Sequence, residues 1–289
     1  MALLWANVVL SGVLMGLVYG LIALGLTIIF GVIRVVNFAH GAMVVFGLYT
    51  GYWAGLWWGV PTIVAAMLAG LMMFIVGYGL ESLVVKRFVD RPPHVQFILF
   101  IGLSLLLTGV QLIAFGPDPR PSVSQLSFET VSVGGIRLDL ARLQAATATT
   151  VLIVALAAFL KYSLFGRYIR AAADNRLGGL IVGIPIPKVY AITFGIGTAC
   201  AGFAGALISP LFDAQPYLAV DFTLLAFIIV IVGGLGSFIG ALIGGLTIGV
   251  TEAVAALLFA PSMKTALSYA LLIVVLVVCP RGFFGVREN

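Results

Sequence analysis

From Met1 onward the chain strings together long apolar runs separated by short polar breaks, and the runs are too continuous for the elements of a soluble domain. A helix needs roughly 20 consecutive apolar residues to cross a bilayer. On that criterion, spans are expected near residues 5–31, 39–58, 60–84, 95–115, 146–164 and 189–209. Residues 222–280 continue the pattern, but Gly-rich and Pro-containing breaks near 233–240 and 259–265 divide them into three segments, the first of them short. The pattern predicts an all-α, polytopic transmembrane helical bundle of nine segments, with eight and ten as the alternatives. A closed barrel, the other way of pairing every backbone group inside lipid, would show segments of about ten residues in apolar/polar alternation. Such alternation occurs once, in TVSVGGIRLDL around Gly134 and Gly135, where it predicts a small β-hairpin.

Composition excludes a water-soluble surface: 62% of the 289 residues are hydrophobic and 9% charged, where a soluble domain carries about 25% charged residues. The net charge of +5 does not point to nucleic acid, because Lys and Arg are scattered through the short breaks. Their placement instead orients the bundle, since positive charge is retained on the cytoplasmic side. Under the nine-segment reading, one side holds Arg34, Lys86, Arg87, Arg91, Lys161, Arg167, Arg170, Arg176, Lys188, Arg281 and Arg287. The other side holds Arg120, Arg137, Arg142 and Lys264. This predicts an N-terminus outside and a C-terminus in the cytoplasm. No basic residue precedes Arg34, so Met1 to Phe30 lacks the basic n-region of a cleaved signal peptide and is expected to be a retained helix. Cys200 and Cys279 lie far apart in apolar runs and read as small packing residues.

Two breaks are longer than ordinary connections. Residues 116–145 fall outside and form an outer loop with the small β-hairpin. Residues 161–188 fall inside and include a helix-forming stretch from about Tyr168 to Leu177, which is expected to stop at Gly178, Gly179, Gly183, Pro185 and Pro187. An amphipathic helix between breakers suits a docking element for a soluble partner, and a solvated connector is the plainer alternative.

Small residues recur every four positions at Gly12, Gly16 and Gly20, at Gly197, Ala201 and Gly205, and at Gly236, Gly240 and Gly244, a spacing that lets helices approach closely. In VGGLGSFIGALIGG the glycines Gly234, Gly236 and Gly240 are dense enough to interrupt a span, and interrupted spans often line a solute path. Their GxGxxxG spacing in an apolar setting, with no strand before it, is not a dinucleotide fingerprint. Asn37, His40 and Gly41 form a polar cluster after the first span, which either serves function or satisfies backbone groups where one helix ends and the next begins. Glu252 lies within the eighth segment and should face the bundle interior, a partner or water. Glu81, near the inner mouth, is expected to pair with Lys86 or Arg87. The chain has no GxxxxGK[ST], HExxH or GxSxG motif and no metal-spaced His or carboxylate cluster, so neither a catalytic site nor a bound cofactor or metal is expected.

GVIRVVNFAHGAM after the first span, GRYIRAAADNRLGGLIVGIP in the inner loop, IVGGLGSFIGALIGG and the terminal PRGFFG occur in one order along nearly the whole chain. Together they resemble the permease subunits of ATP-binding-cassette importers for branched-chain amino acids, the shorter, NFAHG-containing permease in particular. The resemblance implies a single permease domain over residues 1–289 in a bacterial inner membrane. It also implies that residues 161–188 are a coupling loop seated on an ATPase through Gly166, Arg167, Arg170, Ala171, Asn175, Arg176, Gly183 and Ile184. The implied partners are a second permease subunit, as heterodimer or homodimer, two ATPase subunits and a periplasmic substrate-binding protein. Urea, short amides or aromatic acids are alternative solutes. An autonomous secondary transporter or channel is the alternative of another class.

Overall fold

The computed structural model describes residues 1–121, 129–259 and 263–285; Arg287 and residues 122–128 of the outer loop lie outside the described residues. The chain forms α1 (Ala2–Ile33), α2 (His40–Trp58), α3 (Thr62–Leu83), a 3-10 turn (Val85–Arg87), α4 (Pro93–Phe115), β1 (Thr130–Val133), β2 (Ile136–Asp139) and α5 (Leu140–Tyr162). It continues as α6 (Leu164–Asp174), α7 (Arg176–Ile181), α8 (Ile186–Leu207), α9 (Leu218–Gly233), α10 (Phe238–Leu258) and α11 (Lys264–Val278). Six helices, α1, α3, α4, α5, α8 and α10, are long and apolar enough to cross a membrane. The protein is therefore a helical, multi-pass membrane protein. The helices α2, α9 and α11 fall outside that set; α9 and α11 are shorter, with 16 and 15 residues.

The packing follows the small residues. α1 runs antiparallel to α10: a Cβ added at Gly12 would lie 2.8 Å from Gly249 O, one at Gly16 2.8 Å from Gly245 O, and one at Gly20 3.4 Å from Leu242 Cα. In lipid, helix association rests on such close backbone approach rather than on a hydrophobic drive, so this seam carries packing. Gly197 meets Gly25 of α1, while Gly205 meets Val44 of α2, which places α8 between both. α3 lies antiparallel on α8, with Gly70 facing Phe203 and Gly77 facing Thr198. α1 and α8 are the most enclosed helices of the long apolar set and α4 the least.

These contacts give the bundle two ends. One carries the start of α1 and the hairpin, where Arg137 N–H donates to Asn7 Oδ1 at 2.9 Å and Arg120 bridges to Ala214. In the hairpin Val133 pairs with Ile136 across Gly134 and Gly135. Both glycines have positive φ, 58° and 85°, as a two-residue turn with the strands' own twist requires. α5 starts at Leu140 rather than near 146, because Asp139 caps it by accepting from Ala141 N–H at 3.0 Å. The opposite end carries α6, α7, the 3-10 turn and the last described residues.

The inner loop departs from the single helix expected over Tyr168 to Leu177. Helix α6 starts earlier, at Leu164, with Ser163 Oγ accepting from Gly166 N–H at 2.8 Å. It ends at Asp174 because Asn175 is extended (φ −146°, ψ 102°) and caps a second helix through Gly178 N–H at 2.9 Å. Gly178 and Gly179 lie inside α7 rather than stopping a helix.

Candidate functional site

The candidate site residues singled out along the chain fall in four places, not one. The first is the start of α2. α1 ends at Ile33, Arg34 takes a left-handed conformation (φ 60°), and residues 35–39 turn back so that His40 Nε2 lies 2.8 Å from Ile22 O. Ile22 sits 11 positions before the end of α1, about 16 Å along its axis at 1.5 Å per residue. α2 therefore begins inside the bundle, with Asn37, His40 and Gly41 all buried.

A helix start inside a membrane protein leaves N–H groups that lipid cannot satisfy. Here side chains satisfy them: Asn37 Oδ1 accepts from Ala39 N–H at 3.0 Å, and Thr223 Oγ1 of α9 accepts from Gly41 N–H at 3.0 Å. Gln111 of α4 donates to Ala42 O at 2.7 Å. The Ile22 carbonyl only accepts, so Nε2 carries the imidazole proton. Gly25 leaves room for the ring, since a Cβ there would lie 3.1 Å from His40 Cε1. Thr223 and Gln111 carry no sequence signal of this role, because each sits alone in an apolar run.

The second place is the junction of α9 and α10. Gly234 and Gly236 have φ of 106° and 80°, open to glycine and strained for other residues, and Ser237 caps α10 through Gly240 N–H at 3.0 Å. Gly240 packs directly on Gly233. The last carbonyls of α9 are satisfied by the terminal PRGFFG, as Phe283 N–H donates to Val232 O and Phe284 N–H to Gly233 O, both at 2.9 Å. This capping function of the terminal motif had no local signal.

The third place is Glu252, 12 positions along α10 from Gly240 and so about 18 Å away. Its Oε2 accepts from Tyr19 Oη of α1 at 3.1 Å and its Oε1 from Ser268 Oγ of α11 at 3.4 Å. Tyr19 lies 233 positions from Glu252 in sequence, too far for any spacing rule to pair them. Glu81 is buried and, among the described residues, forms no ion pair with Lys86 or Arg87. α3 ends at Leu83, and the 3-10 turn carries both cations to the exposed side.

The fourth place is the α6–α7 unit. Gly166, Ile169 and Ala172 of α6 face the protein, while Arg167, Arg170 and Ala171 are exposed. Gly166 is needed at the α5–α6 corner, where a Cβ would lie 2.6 Å from Phe159 O. Asn175, Arg176 and Gly183 are exposed, and Ile184 is buried. Arg176 makes a two-pronged ion pair with Asp90, its Nη1 meeting Oδ1 and its Nη2 donating to Oδ2 at 3.1 Å, which ties α7 to the loop before α4. That hydrogen bonding holds the Asp90 carboxyl below its ordinary value and the guanidinium above. Around it Leu177, Ile181 and Val182 are exposed by 72%, 86% and 75%, an apolar patch beside cations and outside the bundle.

Known proteins resemble the chain over this whole architecture. A family model described as branched-chain amino acid transport system, permease component, matches residues 8–276. The high-affinity branched-chain amino acid transport system permease protein LivH of Salmonella typhimurium is 32% identical over 294 residues, covering 96% of this chain and 94% of LivH. LivH of Escherichia coli K12 is 31% identical with the same coverage, and BraD of Pseudomonas aeruginosa is 28% identical over 96% of this chain and 95% of its own.

Proposed function

We propose that this chain, which belongs to the permease-component family of branched-chain amino acid transport systems, forms half of the translocation pathway of a binding-protein-dependent ATP-binding-cassette importer. Its place is the bacterial inner membrane, with the hairpin end outside and the α6–α7 end in the cytoplasm. A second permease subunit completes the pathway, two ATPase subunits hydrolyse ATP, and a periplasmic binding protein delivers the solute. The chain performs no chemistry of its own. Branched-chain amino acids are the solute its relatives' names support.

The observation that carries this reading is the α6–α7 unit: two short capped helices outside the bundle, presenting Leu177, Ile181 and Val182 next to Arg167 and Arg170. An exposed apolar patch rimmed by charge is what a protein partner covers. The Asp90 ion pair and the Gly166 corner fix the unit to α4 and α5, so that motion of a partner seated on it reaches the spans. Gly166, Asn175, Gly183 and Ile184 shape the unit, and Arg167, Arg170, Ala171 and Arg176 are open to contact.

The test is the purified complex with its ATPase subunits and loaded binding protein. Reversing charge at Arg167 and Arg170 lowers solute-stimulated ATP hydrolysis by about tenfold, the equivalent of about 1.4 kcal/mol of contact, with subunit assembly retained. Full coupling in that variant removes the docking role. Leucine uptake driven by an ion gradient in vesicles holding this chain alone would favour an autonomous transporter instead.

A further inference from the structure

A cavity of about 390 Å³ lies near the hairpin end between α1, α5, α10 and the start of α11. Its volume falls in the range of small-molecule sites, about 300–1,000 Å³. Its wall combines groups that a membrane bundle rarely assembles: the carboxylate of Glu252, the phenol of Tyr19, the guanidinium of Arg142 and the ammonium of Lys264, with Met15 and Phe212 supplying apolar surface. Tyr19 is 6% exposed and holds Glu252 in place from α1.

Among the described residues, Glu252 makes no ion pair with Arg142 or Lys264, although all three line one cavity. Among the described residues, Arg142 forms its ion pair with Asp139, at 3.6 Å. Glu252 and Arg142 are half-buried and Lys264 is exposed, so the cavity offers both signs of charge to a solute. Glu252 accepts one hydrogen bond on each oxygen and keeps lone pairs for a further donor.

We infer that this cavity is a solute site for an α-amino acid zwitterion, with Glu252 receiving the ammonium, Arg142 and Lys264 the carboxylate, and Met15 and Phe212 the apolar side chain. The inference rests on the importer reading and adds to it a specific stop on the path. Tyr19 is a positioning residue, since its hydroxyl is bonded to the carboxylate that meets the solute. A phosphatidylethanolamine headgroup carries a similar pair of charges, so the experiment separates the two sources.

The experiment uses the assembled transporter in phosphatidylcholine vesicles, with equilibrium binding of labelled leucine measured without binding protein or ATP. Saturable binding is expected in the wild type. Its Kd rises about tenfold or more in Glu252→Gln and in Arg142→Gln, and less in Tyr19→Phe, while Glu252→Asp recovers part of the affinity. Co-elution with the second permease and the ATPase subunits as one complex confirms that each variant is folded. An unchanged Kd in Glu252→Gln overturns the site, as does leucine binding that phosphatidylethanolamine added to the vesicles abolishes. Leucine uptake by the wild-type complex is scored separately: its failure removes the importer reading, whereas normal uptake with an unchanged Kd in Glu252→Gln removes this site alone.

Discussion

Asn37 shows how little of a residue's role lies in its neighbourhood along the chain. The sequence places it three positions from His40 in a polar cluster, and both a solute contact and a backbone cap fit that spacing. In the fold its Oδ1 accepts from Ala39 N–H inside the bundle, where no water can substitute. Asn37→Ala should therefore cost about 1–3 kcal/mol, the range for leaving a buried donor unsatisfied, read as a lower midpoint of thermal unfolding in detergent with solute affinity unchanged. A loss of affinity at unchanged stability would return Asn37 to the pathway. Glu252 is the opposite case. A lone carboxylate in a span advertises itself in any sequence, but its partners Tyr19 and Ser268 come from helices whose proximity only the folded bundle reveals.

At the scale of elements, helix positions were legible because lipid imposes length and hydropathy, and the hairpin because Gly134–Gly135 has a local turn signature. The split of the inner loop was not legible, since one residue, Asn175, decides it by leaving the helical region and capping α7. The unit's tie to the bundle, Arg176 with Asp90, has a pH signature. Asp90 has a depressed value in the fold. Its contribution is therefore complete above the unfolded carboxyl pKa, about 3.9, and is lost as pH falls through the lower folded value. Both side chains are substantially exposed, 43% and 71%, so screening limits the pair to about 0.2–1 kcal/mol. Asp90→Asn should speed amide exchange across residues 176–181 by roughly 1.5- to 5-fold at pH 7, and make no difference once acid has protonated the wild-type carboxyl. Equal exchange at pH 7 would show that the pair does not hold α7.

The whole molecule has two unlike ends, one with the hairpin and few cations, the other with α6, α7 and most of the Lys and Arg. The orientation proposed for them is checked by labelling in intact cells. In a Cys279→Ser background, a membrane-impermeant maleimide should modify Arg137→Cys from outside and reach Ala171→Cys only after the membrane is opened. The reverse pattern would invert the bundle. Charge bias made this asymmetry readable from sequence, whereas the pairing of α1 with α10 rests on glycines over 200 positions apart, which no local pattern connects.

The inward start of α2 has a consequence for how the protein is made. α2 is outside the set of helices apolar enough to span alone, and the groups that close its first turn come from Ile22, already synthesised, and from Gln111 and Thr223, which are not. Thr223 leaves the ribosome 182 residues after Gly41, an interval on the order of ten seconds or more at about 5–20 residues per second. For that time the Gly41 N–H lacks its partner from α9, as Ala42 O lacks Gln111 until α4 follows. The last hydrogen bond to close the start of α2 is therefore a late event that waits for α9.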